Sequence, residues 1–204
     1  MSDARKQIVI ATHNTHKTGE FRVLLGPDWL VEDLTAYPDL PVPEEDGATF
    51  EENAAIKARS AAERLGDGVL VVADDSGLEV DALDGRPGIF SARYAGPGAG
   101  DAGNRDRVLE EMKEVPQGSR TARFRCVLIL AEGGAGTVLA ACDGTVEGRL
   151  ALETAGTGGF GYDPIFIPEG YDVTFGELPA EVKNSLSHRA RALEALRRRL
   201  EAVH

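Results

Sequence analysis

The chain has 204 residues, and its 34 acidic against 22 basic side chains give a net charge of −12, which argues against the broad basic surface that a nucleic-acid polymer requires. Hydrophobic residues at 42% and charged residues at 27% set the disordered and membrane classes aside, and no apolar run approaches the roughly 20 residues of a transmembrane helix. A chain of this length fits one large domain or two lobes and can bury a substantial core without disulfide staples; a single domain over residues 1–204 is the expectation. Met1 to Gln7 leads into a strand without the apolar region of a signal peptide, and a cytoplasmic location away from any membrane is expected.

Ile8-Val9-Ile10-Ala11 predicts a short strand, followed by the polar run Thr12-His13-Asn14-Thr15-His16-Lys17 and a helix starting near Lys17. Backbone N–H groups and an ammonium at a helix amino terminus make a phosphate-binding geometry. The GxxxxGK[ST] pattern of a P-loop is absent, and an exposed connection with an incidental lysine fits this stretch equally. After a strand over Trp29 to Asp33, three prolines between Tyr37 and Gly47 forbid regular structure, and Glu44, Glu45 and Asp46 there suit either a metal ligand or a solvated loop. Thr49-Phe50-Glu51-Glu52 is a capping box in which Thr49 caps and Glu52 reaches back. Phe50, Ala54, Ala58, Ala61 and Leu65 then form one narrow apolar stripe, ended by Gly66-Asp67-Gly68.

Val69 to Ala73 reads as a strand buried on both faces, which stops at Asp74-Asp75-Ser76-Gly77. Two adjacent carboxylates at the carboxyl end of a central strand stand where open α/β sheets place ligands, and a partly desolvated pair needs a cation or strong donors to remain ionised. A turn is the other reading, because Asp, Ser and Gly all favour turns. Leu78 to Leu83 alternates like a half-exposed strand, Gly85 to Gly88 turns, and a glycine-rich loop runs from Ser91 to about Gly103. Asn104 to Val115 reads as a helix with Val108, Leu109 and Met112 inward, and Thr121 to Ala131 as a long strand entering the core. Val138 to Glu147 is expected to return antiparallel after Gly133-Gly134-Ala135-Gly136, so the sheet is mixed. That turn sets Cys126 and Cys142 nearly opposite each other, and they are expected to be buried core thiols.

Gly156 to Pro164 interleaves four glycines with Phe160 and Tyr162, which permits close backbone approach to a ligand and ring stacking on a base, or else a tight turn with core aromatics. Ser187 is a candidate cap that projects His188 and Arg189 from the first turn of a terminal helix, where an anion would meet the dipole, Arg189 and Lys183. Ala192, Leu193, Leu196, Leu200 and Val203 form the apolar stripe of that helix, and Arg197-Arg198-Arg199 reads as its solvated face.

Six blocks occur in order along the chain: Ala11 to Lys17, Thr49 to Ala54, Ala73 to Leu78, Gly88 to Tyr94, Gly158 to Pro164 and Ser187 to Arg189. Together they resemble the inosine triphosphate pyrophosphatase family, also described as dITP/XTP pyrophosphatases. The resemblance implies an α/β fold with a long mixed sheet and two lobes around a cleft, and typically a homodimer. It implies Mg²⁺-dependent hydrolysis of ITP, dITP and XTP to the monophosphate and pyrophosphate, which cleanses the nucleotide pool. By the same resemblance Thr12, His13, Asn14, Thr15, His16 and Lys17 hold the phosphates, with Lys17 the main cation. Asp75 is implied as metal ligand and proton acceptor, Asp74 as its supporting carboxylate, Ser76 as a substrate contact and Glu45 as a second metal ligand. Phe160, Gly161, Tyr162 and Asp163 are implied to hold the base, with Lys183, His188 and Arg189 completing the phosphate and base pocket.

Overall fold

A computed structural model of the protein describes residues 6–202. Val203, the last position of the terminal stripe, and Met1 to Arg5, on which the reading of the amino terminus rests, lie outside the described residues. The first elements are β1 (Lys6–Ile10), α1 (Thr15–Leu25) and β2 (Trp29–Asp33). β1 pairs in parallel with β2 on one side and with β3 (Leu70–Val80) on the other. Ile8, Val9 and Ile10 have no exposed surface, as a strand covered on both faces requires. α2 (Phe50–Ala62) carries the chain across to β3. Its stripe is buried as expected at Phe50, Ala54, Ala58 and Ala61, and Thr49 caps it by accepting the N–H of Glu52 at 3.1 Å. Glu52 reaches back one residue further than a capping box predicts, accepting the N–H of Ala48 at 2.7 Å.

The six-stranded sheet has the order β2-β1-β3-β4-β5-β6, with β4 at Thr121–Glu132, β5 at Thr137–Leu150 and β6 at Phe166–Pro168. β5 and β6 are antiparallel. β4 and β5 are neighbours joined only by Gly133 to Gly136, too short for the crossover that parallel strands need. The sheet is therefore mixed and the fold α/β.

Two expectations are corrected. β3 does not stop at Ala73 and does not turn at Asp74: it is one 11-residue strand that absorbs Asp74-Asp75-Ser76-Gly77, and Leu78 and Val80 are as deeply buried as Val71 and Val72. Each polar side chain in the stretch has a partner, described below, so local turn propensity loses to burial and pairing. The residues after Val80 form a short 3-10 turn, Asp81–Leu83. The helix expected over Asn104 to Val115 is α3 (Gly100–Glu111), and part of the expected loop is a 3-10 segment, Gly88–Arg93. Asp101 in the first turn of α3 complements the helix dipole.

The chain forms two compact units. One takes in the chain up to Asp75, Val127–Asp143 and the chain from Arg191 on; the other comprises Ser76–Cys126 and Gly144–Ala190. In the first unit Ile8, Val9, Phe21, Ala54, Val71, Val72, Leu128 and Leu196 are buried. In the second, Phe166 packs with ring centroids 4.6 Å from Phe124 and 5.4 Å from Phe175, within a cluster that includes Leu78, Val80, Val108 and Met112. Arg120, 2% exposed, donates to the carbonyls of Met112 (2.7 Å), Leu150 (3.3 Å) and Ala151 (2.9 Å), and so joins the end of α3 to the end of β5. The last helices are α4 (Ala180–Leu186) and α5 (His188–Ala202), with Ala192, Leu193, Leu196 and Leu200 buried and Arg197, Arg198 and Arg199 exposed. Cys126 and Cys142 are buried thiols, not a disulfide.

Candidate active site

The first group of candidate side chains belongs to the first unit. β1 lies between β2 and β3, so the chain leaves it toward one side through α1 and reaches its other side through α2. Such a reversal of strand order is the point where an open α/β sheet takes ligands. Alternation along β3 sends Asp74 and Asp75 to opposite faces, and right-handed crossovers to opposite sides of β1 place α1 and α2 on opposite faces too. Each carboxylate accordingly meets a lysine from a different helix. Lys17 of α1 donates to Asp74 Oδ1, and Lys57 of α2 donates to Asp75 Oδ1 at 2.6 Å. Lys57 also reaches Glu45 Oε2, on the proline-rich loop, at 3.0 Å.

This cluster is largely withdrawn from water, Asp74 being 1% and Asp75 8% exposed. Burial pushes the Asp75 carboxyl above its ordinary range although Lys57 and Lys17 pull against it. Burial alone would lower Lys57, but the carboxylates of Asp75 and Glu45 outweigh it and hold the ammonium above its usual value. Asp75 Oδ2 is buried and has no hydrogen-bond partner among the described residues. A buried carboxylate oxygen with an open coordination position suits a hard divalent cation. Among the described residues no three His, Cys, Asp or Glu side chains gather into a metal cage.

Around Lys17, α1 starts at Thr15, two residues before the expected position, because Asn14 caps it. Asn14 Oδ1 accepts the N–H groups of His16 (3.0 Å) and Lys17 (3.2 Å), and Thr12 Oγ1 accepts the N–H of Asn14 (3.1 Å). Two of the helix-terminal donors expected for a phosphate are therefore occupied, while the side chains of His13, Asn14, Thr15 and His16 are exposed.

The second group belongs to the second unit and is built on the loop before β6. Asp163, 2% exposed, accepts the N–H of Phe160 at 2.8 Å and an ion pair from Lys183 at 2.6 Å. A Cβ at Gly159, whose φ is +71°, would run into that carboxylate, which explains the glycine. The Phe160 ring has two cations over it, Lys183 Nζ 4.7 Å and Arg189 Cζ 5.8 Å from its centroid. Arg189 donates to Ser76 Oγ at 3.0 Å. His188 stacks at 4.8 Å on the ring of Phe124, and Ser187 caps α5 by accepting the N–H of Ala190 at 3.2 Å. Tyr162 is 4% exposed, and its hydroxyl donates to the Ser91 carbonyl at 2.8 Å. Of the four residues expected at the base, Tyr162 is thus fixed in the core and Phe160 keeps partial exposure.

The structure brings Lys17, Asp74, Asp75 and Glu45 together in one unit, and Ser76, Phe160, Asp163, Lys183 and Arg189 in the other. Lys57 is the residue that sequence reasoning missed. Its signal was its position: seven residues after Phe50 and three after Ala54, it falls on the buried face of α2, where a lysine needs a counter-charge.

An α/β sheet that sets two lysines and a carboxylate pair at its strand-order reversal is the frame of a phosphate-handling enzyme. Comparison with known proteins narrows the class: residues 8–199 match the Ham1 family, and the chain belongs to it. It is 49% identical over 197 residues, 97% of this chain and 98% of the other, to the dITP/XTP pyrophosphatase of Shouchella clausii (strain KSM-K16). It is 46% identical over 198 residues, again 97% and 98% of the two chains, to the dITP/XTP pyrophosphatase of Bacillus subtilis (strain 168). Among solved structures, the Staphylococcus aureus Ham1 protein superposes with a TM-score of 0.84 at 41% identity, covering 98% of this chain and 100% of that one. A HAM1 protein from Coxiella burnetii gives 0.85 at 41% identity, covering 97% and 99%.

Proposed function

We propose that this chain is a nucleoside triphosphate pyrophosphatase that hydrolyses ITP, dITP and XTP to the nucleoside monophosphate and pyrophosphate. The observation that carries the reading is the buried lysine and carboxylate cluster at the strand-order reversal, in a member of a family whose close relatives are named dITP/XTP pyrophosphatases. Lys17 and Lys57 supply positive charge to the triphosphate, with Asp74 holding the Lys17 ammonium in place. Asp75 accepts the proton of the attacking water, a task suited to a carboxyl that burial has made more basic. Asp75 and Glu45 would hold Mg²⁺, which when bound neutralises phosphate charge. Thr12 and the exposed side chains of His13 to His16 border the phosphates.

In the second unit Phe160 stacks on the base, and the cations of Lys183 and Arg189 bring donors to the 6-keto oxygen. The N–H of Phe160 is engaged by Asp163 and that of Gly161 by Asp101, so these amides are not spare donors for a base. Adenine presents an amino group at the same position and leaves the donors unmatched, at a cost of about 1 to 3 kcal/mol for each. A homodimer, carried over from the family resemblance, and a cytoplasmic location accompany this reading, and the free, buried thiols of Cys126 and Cys142 fit a reducing compartment. Among the described residues no helix is long and apolar enough to cross a membrane.

The test is a side-by-side comparison of turnover on dITP, XTP, dATP, dGTP and dUTP with Mg²⁺. Rates on dITP and XTP far above the other three are expected. Comparable rates on dATP would overturn the deaminated-purine specificity, and binding without turnover of any of the five would mean a nucleotide sensor.

A further inference from the structure

The loop that carries Phe160 is gripped from outside as well as from within. Two side chains of α3, one helical turn apart, hold the two ends of a single residue's backbone. Asp101 Oδ2 accepts the N–H of Gly161 at 2.7 Å, and Arg105 Nη1 donates to the Gly161 carbonyl at 2.7 Å. Gly161 sits at φ +58°, in the left-handed region, directly after the aromatic ring. Both contacts involve a charged side chain, which makes each stronger than an ordinary amide hydrogen bond. The same α3 is anchored beneath the loop, since Asn104 accepts the N–H of Ala95 at 2.7 Å and donates to the Ala92 carbonyl at 3.2 Å. Ala92 follows Ser91, whose carbonyl receives the Tyr162 hydroxyl, so α3 and the loop share the 3-10 segment Gly88–Arg93 as a common support.

Neither Asp101 nor Arg105 has a core-packing role that would explain this pairing, Asp101 being exposed and Arg105 only half-buried. An arginine and an aspartate spent on one glycine peptide fix the direction in which the chain leaves Phe160. We propose that Asp101 and Arg105 are positioning residues for nucleobase recognition: they hold the Phe160-Gly161-Tyr162 backbone so that the Phe160 ring is set before substrate arrives. This rests on the reading of the Phe160 loop as the base-binding element. A preset ring spares the binding step the ordering of a glycine-rich loop, so loss of the grip weakens substrate binding and leaves the chemistry at Asp75 alone.

The experiment compares wild type with Asp101→Ala, Arg105→Ala and the conservative Asp101→Asn, whose side-chain carbonyl can still accept the Gly161 N–H. Two readouts are taken: peptide-level hydrogen exchange across residues 157–163 without nucleotide, and steady-state kinetics on dITP with Mg²⁺. Both alanine variants are expected to exchange faster in that segment, with exchange in β3 and β4 unchanged. Their KM should rise about tenfold at near-constant kcat, the size of one lost charge-assisted hydrogen bond that orders a binding loop, and Asp101→Asn should recover most of it. Unchanged exchange in both alanine variants would overturn the grip itself. Faster exchange with an unchanged KM, or an equal loss in Asp101→Asn and Asp101→Ala, would overturn the positioning role. Failure of the wild type to turn over dITP would strike the nucleotide reading instead, and the exchange arm would still decide whether α3 holds the loop.

Discussion

Replacing Lys57 by methionine removes one charge at nearly constant side-chain length, from the centre of the first-unit cluster. In the folded protein Lys57 bridges Asp75 at 2.6 Å and Glu45 at 3.0 Å, and its side chain is 14% exposed against 11% for Asp75. Removing one partner of a buried pair leaves the other charged and desolvated, which costs 3 to 5 kcal/mol when burial is complete; here the remaining exposure places the loss at about 3 kcal/mol. Urea unfolding without metal should show that loss as a lower midpoint with an unchanged slope. Burial holds the Asp75 carboxyl above its unfolded value, so the stability linked to this group is present below the unfolded value and is lost as pH rises through the folded one. Lys57→Met removes the nearest opposing cation and steepens that loss, so the gap to wild type should narrow as pH falls toward about 4. Added Mg²⁺ should stabilise the variant more than the wild type, because a second cation then meets Asp75. A variant as stable as wild type at neutral pH, or a gap that does not change with pH, would refute the assignment of Lys57 as the counter-charge of Asp75.

Other positions separate chemistry, binding and scaffold. Asp75→Asn should abolish turnover with the fold intact, checked by circular dichroism beside the rate; a near wild-type rate would show that another group takes the proton. Phe160→Ala should weaken dITP binding by roughly 1 to 3 kcal/mol, read as KM, with little change in kcat. An unchanged KM would make Phe160 a loop residue with no part in the base site. Arg120→Met should leave the carbonyls of Met112, Leu150 and Ala151 without their buried donor and destabilise the protein by about 2 kcal/mol or more in urea unfolding. Unaltered stability would mean that those carbonyls find other donors.

The sequence disclosed the elements whose periodicity is strong. α2 with its alanine stripe, the alternating and then apolar β4, the return of β5 and the terminal stripe of α5 all stand where the pattern puts them. It misled at Asp74-Asp75-Ser76-Gly77, where four turn-favouring residues lie inside a strand. Asp74 is held by Lys17, Asp75 by Lys57 and Ser76 by Arg189, and those partners are 57, 18 and 113 residues away in sequence. No local rule sees such distances. The start of α3 was hidden for a related reason, since Gly100 and Gly103 lower helix propensity while Asp101 and Asn104 hold the first turn through contacts outside the helix. Individual site motifs were each open to a plain structural reading. Their order along the chain carried the functional one, and Lys57, outside every block, emerged only when α2 was seen against β3.

The claim that matters most is which phosphate bond is cut. Purified protein incubated with dITP and Mg²⁺, followed by chromatographic identification of the phosphate species and the nucleotide, decides it in one measurement. Pyrophosphate and dIMP in equal amounts are the products this account predicts. Orthophosphate with dIDP would mean that the Lys17, Lys57 and Asp75 cluster acts on the terminal phosphate, and would contradict the account.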